Sequence, residues 1–193
     1  MVIDIKKLKD LHKGKNGVII GCGESDFSLA EEKVVICIND SIRKYNQIAD
    51  FWITQHSLHL REIGFISPKK TKIILPLTID GGKYSLVNFE NILIGYDCYY
   101  FWILPFGFDR EIDRIDTSDE IFIGHLTFHF AINLAKLLGL KMVELIGFNK
   151  TKRLAEGDPI LVENTNINMD LIVEGNLQGE KLLKSFGIVY EYK

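Results

Sequence analysis

Two short runs near the amino end are apolar at consecutive positions rather than at alternate ones, and this constrains the fold more than any other feature of the chain. Gly17-Val-Ile-Ile20 and Val34-Val-Ile-Cys-Ile38 are rich in β-branched residues, too short for helices, and too uniformly apolar for strands with one wet face. Such strands need cover on both sides. Further runs at Ala49–Thr54, Lys72–Pro76, Tyr99–Ile103, Lys141–Ile146 and Ile188–Tyr192 alternate with segments of helical period at 41–48, 125–138 and 176–186. The alternation predicts an α/β fold, a three-layer sandwich with a doubly wound, mostly parallel sheet. Segment 125–138 is apolar nearly all round, belongs against the middle of that sheet, and stops at Gly139, a natural left-handed C′ residue. Asp40 or Ser41 is the expected cap of the short helix after the second strand. Leu77–Asp97, with Gly81-Gly82, reads as irregular surface. Without repeats or a linker, residues 1–193 are expected to form a single domain.

Composition then removes whole function classes. With 23 Lys and Arg against 26 Asp and Glu, the net charge of −3 offers no general electrostatic case for a nucleic-acid binder. Cys22, Cys37 and Cys98 are odd in number and widely spaced, with no C-x-x-C, which points to free thiols in a reducing compartment. The chain has neither an apolar run of about 18 residues nor a leader-like start, so no transmembrane segment is expected and the expected location is cytoplasmic.

In an open parallel sheet, ligands bind at the carboxyl ends of the strands where strand order reverses. Three loops qualify: Gly21–Ser25, Asn39–Asp40 and Gly147–Asn149. Gly21 and Gly23 around Cys22 either let a ligand approach the backbone or simply make a tight turn, and Ser25 adds a hydroxyl for a phosphate or sugar. His56 and His59 stand three apart after the third strand. Lacking a Cys or carboxylate partner at metal spacing, they suggest a base rather than a metal site, and His56 either lines the cleft or is an exposed loop histidine. His125 and His129 share a face at the head of the long helix. Either one caps or packs while the other lies against the sheet, or His125, kept neutral by the helix dipole, serves as the catalytic base. Asp109–Asp116, which includes Arg110 and Arg114, reads as a solvated face or a lid. Lys150 and Arg153 read as surface loop residues or weak phosphate contacts.

Val18-Ile-Ile-Gly-Cys-Gly-Glu-Ser25, followed by Asn39-Asp40 and Phe51-Trp-Ile-Thr54, resembles the amino half of the family-42 bacterial sialyltransferases. The wider superfamily includes the archaeal hydroxymethylpterin pyrophosphokinase group, with its G-x-G-P-S loop. The stretch Leu138-Gly-Leu-Lys-Met-Val-Glu-Leu-Ile-Gly147 is similar to that superfamily's late helix and strand. The resemblance implies a Rossmann-like domain that binds a nucleotide or a nucleotide-activated sugar, CMP-linked in the sialyltransferase branch. It implies glycosyltransferase-like transfer to a glycan or small-molecule acceptor. It further implies Gly21–Ser25 near the phosphate, Asn39 on the base, ribose or sugar, and Gly124, His125 and Thr127 facing the donor. His125 or His56 would deprotonate the acceptor. Three departures stand out: Glu24 replaces the loop proline, Asn149 replaces the late acidic residue, and no histidine follows His129. The family's own sialyl-transfer mechanism is therefore not supported. Two alternatives follow, a pterin-type pyrophosphokinase with Mg²⁺ on Glu24, Asp26 and Asp40, and a catalytically silent nucleotide-binding or scaffold protein. No other cofactor is expected.

Overall fold

The structure is a computed structural model that describes residues 2–23, 32–68, 70–79, 83–104, 119, 121–124, 126–148 and 169–193. Its strands, in chain order, are β1 (Val2–Asp4), β2 (Asn16–Ile20), β3 (Val34–Ile38), β4 (Phe51–Ile53), β5 (Lys72–Pro76), β6 (Thr78–Ile79), β7 (Tyr84–Ser85), β8 (Cys98–Leu104), β9 (Ile121–Ile123), β10 (Met142–Ile146) and β11 (Val189–Tyr192). The helices are α1 (Ser41–Tyr45), α2 (Thr127–Leu137) and α3 (Met169–Ser185).

Every residue of β3 and the last four of β2 are buried, as their unbroken apolar runs require. Among the described residues the main sheet runs β1-β8-β5-β4-β3-β2-β10-β11, with β9 paired to the end of β8, and every pair in it is parallel. Side-chain alternation divides the core in two. Ile19, Ile36, Ile53, Val143 and Leu145 face Phe130, Leu134 and Leu182 of the long helices. Val18, Val35, Cys37, Trp52 and Ile146 face Ile42 and Tyr45 of α1 and Leu60 of the 3-10 segment Ser57–Phe65. The result is the α/β, Rossmann-like three-layer sandwich with a mostly parallel sheet. No helix among the described residues is long and apolar enough to cross a membrane.

From β2 the chain steps outward through β3, β4 and β5, then returns on the other flank of β2 as β10 and β11. Strand order therefore reverses between β2 and β10, and that crevice is the switch point.

Four local expectations need correction. Neither Asp40 nor Ser41 caps α1. Asp40 makes no side-chain cap bond, and the Ser41 hydroxyl accepts from Ile38 N at 2.9 Å and donates to Ile20 O at 3.0 Å, tying β2 to β3. The same helix ends at Tyr45, short of the expected residue 48. Leu77–Asp97 is not all irregular. It carries the antiparallel pair β6–β7 and a 3-10 segment, Leu86–Leu93. Finally, α3 starts at Met169 rather than near 176. Gly175 and Gly179 lower its helix propensity, but they allow close approach to α2. A Cβ on Gly175 would lie 2.2 Å from Leu126 Cδ1, and one on Gly179 would lie 2.3 Å from Phe128 Cε1.

Candidate functional site

The switch point is built by glycines that pack on one another. Gly21 N donates to Ile146 O at 2.8 Å, and Gly23 N donates to Gly147 O at 3.1 Å. A Cβ on Gly23 would lie 2.4 Å from Gly147 O, and Gly147 itself has φ +73. The G-x-G pair thus serves first to dock the β2 loop onto the β10 loop, a third reading beside ligand approach and a plain turn. Phe148 roofs this contact. Its ring lies 4.3 Å from that of Phe128, which joins the Gly147 loop to the first turn of α2.

Cys22 connects this crevice to the end of β3, since its thiol donates to Ile38 O at 3.4 Å. There the chain turns at Asn39, which takes φ +50, a left-handed value that Asn tolerates. Two bonds hold the turn: Asn39 N donates to Ile53 O at 3.1 Å, and Trp52 Nε1 donates to Asn39 O at 2.8 Å. Asn39 Oδ1 is buried without a partner. Asp40 follows, and one carboxylate oxygen sits 2.9 Å from His59 Nδ1. The His59 side chain is 0% exposed and that of Asp40 is 11% exposed. His56 is half-buried beside this pair, its ring centroid 6.0 Å from that of His59. His56 N donates to Thr54 Oγ1 at 3.3 Å.

The remaining site residues lie around the head of α2. Gly124 has φ +142, and a Cβ there would lie 2.3 Å from His129 Cβ. Thr127 is buried, and α2 opens without a side-chain cap. His129 uses both ring nitrogens. Nε2 donates to Gly175 O at 2.7 Å, and Nδ1 accepts from Leu126 N at 3.4 Å. It is thus the packing member of its pair. Ser25, His125 and Asn149 lie outside the described residues, as do Glu24, Asp26, Arg110, Arg114, Lys150 and Arg153.

The structure therefore brings Gly21, Cys22, Gly23, Asn39, Asp40 and Gly147 to one edge, with α2 reaching it through Phe128 and Phe148. Sequence reasoning missed Phe148 and the bond between Asp40 and His59. An Asp at the head of a helix signals a cap, and nothing local shows that its partner lies 19 residues on. Two thiols are chemically quiet, because burial pushes Cys37 up to about 12 and Cys98 up to about 11. Among the described residues no three His, Cys, Asp or Glu side chains come together as a metal site.

No protein-family model matches the chain. No curated protein matches it in sequence. Among solved structures it is similar to the MAf glycosyltransferase from Magnetospirillum magneticum AMB-1, with a TM-score of 0.42 and 14% identity, over 77% of this chain and 27% of that one. The chain spans about a quarter of that protein's length.

Proposed function

We propose that this chain is a single nucleotide-binding domain and a glycosyltransferase-like transferase, which holds a nucleotide or a nucleotide-activated sugar at the carboxyl edge of the sheet. The observation that carries this reading is the switch point itself. Docked glycine loops, the Asn39–Asp40 turn and the start of α2, whose N-cap residue Leu126 gives no side-chain bond to the first turn, meet where β2 and β10 part. Phosphate suits the α2 end, whose first N–H groups and helix dipole favour an anion. The nucleoside or sugar then lies toward Asn39 and Asp40. His56 borders this corner, and it or His125 serves as the base that takes the proton of an acceptor hydroxyl. Orientation of donor and acceptor supplies most of the rate.

The docking of Gly23 onto Gly147 O also favours a second reading, a nucleotide-binding protein without turnover, because that contact is complete without any ligand.

Thermal unfolding with CMP, UDP, GDP, a CMP-linked sugar, and ATP with and without Mg²⁺ tests these readings. A ligand held at 100 times its Kd stabilises the native state by about 2.7 kcal/mol, which raises the Tm of a chain this size by roughly 5–10 °C. Metal-independent stabilisation by a nucleotide or nucleotide-sugar is expected. Stabilisation by ATP only with Mg²⁺ would select the pyrophosphokinase alternative, and no response to any ligand would refute nucleotide binding. Release of free nucleotide from the sugar donor then distinguishes a transferase from a silent binder.

A further inference from the structure

We propose that the amino edge of the sheet, opposite the candidate site, is a docking surface for an anionic lipid bilayer. The face is built on Lys13, Lys15, Lys141 and Lys184, with Leu11 and Val189 exposed among them.

The lysines come together because three neighbouring strands start side by side. Lys15 ends the loop before β2 and Lys141 immediately precedes β10, so the register that pairs Asn16 with Met142 sets the two lysines directly opposite each other. Lys141 N donates to Lys15 O at 3.1 Å, and Val189 N at the start of β11 donates to Lys141 O at 3.1 Å. Lys13 is held at the same end by its neighbour Gly14, whose N–H donates to Gly139 O at 2.8 Å. Lys184 reaches it from the last turn of α3, where Gly187 N donates to Lys184 O at 3.0 Å, two residues before β11. All four lysines are exposed, and none of them has an ion pair among the described residues.

Local needs do not use up this charge. The C-terminal ends of α2 and α3 lie here, and each helix end carries roughly half a negative charge. Asp10 and Asp119 add two carboxylates, and Lys9 and Lys136 two more cations. Lys9 pairs with Asp119 at 2.7 Å, and Lys136 feels the charges of both. On the neighbouring strands Lys33 with Glu144 and Lys193 with Glu191 are balanced pairs. The six lysines of this end therefore exceed its aspartates and helix ends by about three charges. Lys15 and Lys141 moreover repel each other across adjacent strands, a cost that an anionic partner removes.

The chemistry of the face selects the partner. Its cations are ammoniums, point charges suited to a diffuse negative surface, whereas the guanidinium forks of Arg43 and Arg61 are engaged elsewhere, on Glu62. Leu11 is 48% exposed and Val189 is 63% exposed. Aliphatic side chains among lysines suit a bilayer, whose headgroups attract the ammoniums while the acyl boundary takes the aliphatic groups. A nucleic-acid backbone satisfies only the first. Docked in this way, the chain keeps the crevice between β2 and β10 turned toward solvent.

Co-sedimentation of the full chain with vesicles of phosphatidylcholine alone, and of phosphatidylcholine mixed with phosphatidylglycerol, tests the proposal. Binding is expected to the mixed vesicles only. It should fall as salt rises from about 0.1 M to about 1 M, because the screening length shrinks from about 10 Å to about 3 Å. Lys141→Ala should lower the partition by about fivefold, and Lys13→Ala, Lys15→Ala and Lys141→Ala combined by about a hundredfold. Leu11→Ser should weaken vesicle binding by a few-fold and leave binding of polyglutamate unchanged. No binding to the mixed vesicles, or binding that survives the triple substitution, overturns the proposal. Vesicle binding that Leu11→Ser leaves unchanged, with equally tight binding of polyglutamate or duplex DNA, overturns the choice of lipid in favour of an acidic protein segment or a nucleic acid. Should the triple variant not fold, Lys141→Ala and the salt comparison decide the matter. The nucleotide response in thermal unfolding should be intact in every folded variant, so either reading can fail while the other stands.

Discussion

His129 and His59 are both completely buried, yet the regions around them are finished to different degrees. At the junction of α2 and α3, His129 gives Nε2–H to Gly175 O and accepts at Nδ1. Asn133 beside it accepts from Ile123 N and donates to Ile123 O and His129 O. At the corner of β3, α1 and the Ser57–Phe65 segment, His59 uses one nitrogen, Asp40 one oxygen, and Asn39 Oδ1 is unused. A closed buried network rigidifies the fold. An open one leaves acceptor capacity unmet, which costs stability. The difference teaches that complete burial does not by itself make a histidine part of a closed network; the count of satisfied atoms tells the two regions apart.

The largest expected effect is at the closed junction. His129→Ala leaves Leu126 N without its acceptor, removes the second donor to the helical carbonyl of Gly175 and opens a cavity, so a loss of about 3–5 kcal/mol is expected in urea unfolding, with any nucleotide response intact at temperatures where the variant is folded. A loss below about 1 kcal/mol would mean that the junction is not the rigid half of the pair.

His59→Leu should cost less, about 1–3 kcal/mol in the same measurement, because the Asp40 carboxylate loses its bond while the unpaired nitrogen leaves with the ring. A loss as large as that of His129→Ala would place His59 with the structural histidines and erase the contrast.

His12 gives the smallest effect and serves as a control. It too has a buried unpaired nitrogen, Nδ1, but it lies in the loop before β2, at the amino edge away from the site, edge-on to Phe51 at 5.9 Å. Burial, followed by the Lys15 charge, lowers its pKa from 6.5. The unfolded chain therefore binds the proton more readily. The contribution of His12 to stability is present above pH about 6.5 and declines as the pH falls below it. His12→Phe should flatten that decline without changing nucleotide binding. If it abolished binding, an unpaired ring nitrogen would mark the wrong edge of the sheet.

Legibility followed the range of the interactions. β2, β3, β5 and β10 were readable because their own residues state that both faces are covered. The end of α2 was readable because Gly139 is a local stop signal, and it takes φ +76. The start of α3 was not. Gly175 and Gly179 weaken a helix locally and are tolerated because Leu126 and Phe128 occupy the space they leave. The site divided in the same way. Their places directly after strands put Gly21, Asn39 and Gly147 at one edge, whereas the role of the G-x-G pair depends on the contact between Gly23 and Gly147 O, which no local pattern shows.

By itself the sequence determined the fold class and most of the loops that meet at the carboxyl edge of the sheet. These follow from periodicity and connection rules that act over a few residues. The tertiary structure alone decided that two glycine loops dock, that His129 is finished and His59 is not, and that Asp40 serves a histidine instead of a helix. Each of these is a hydrogen bond or close contact between residues far apart in the chain. Such pairs have no local signature, because their energy exists only after the sheet has brought them together.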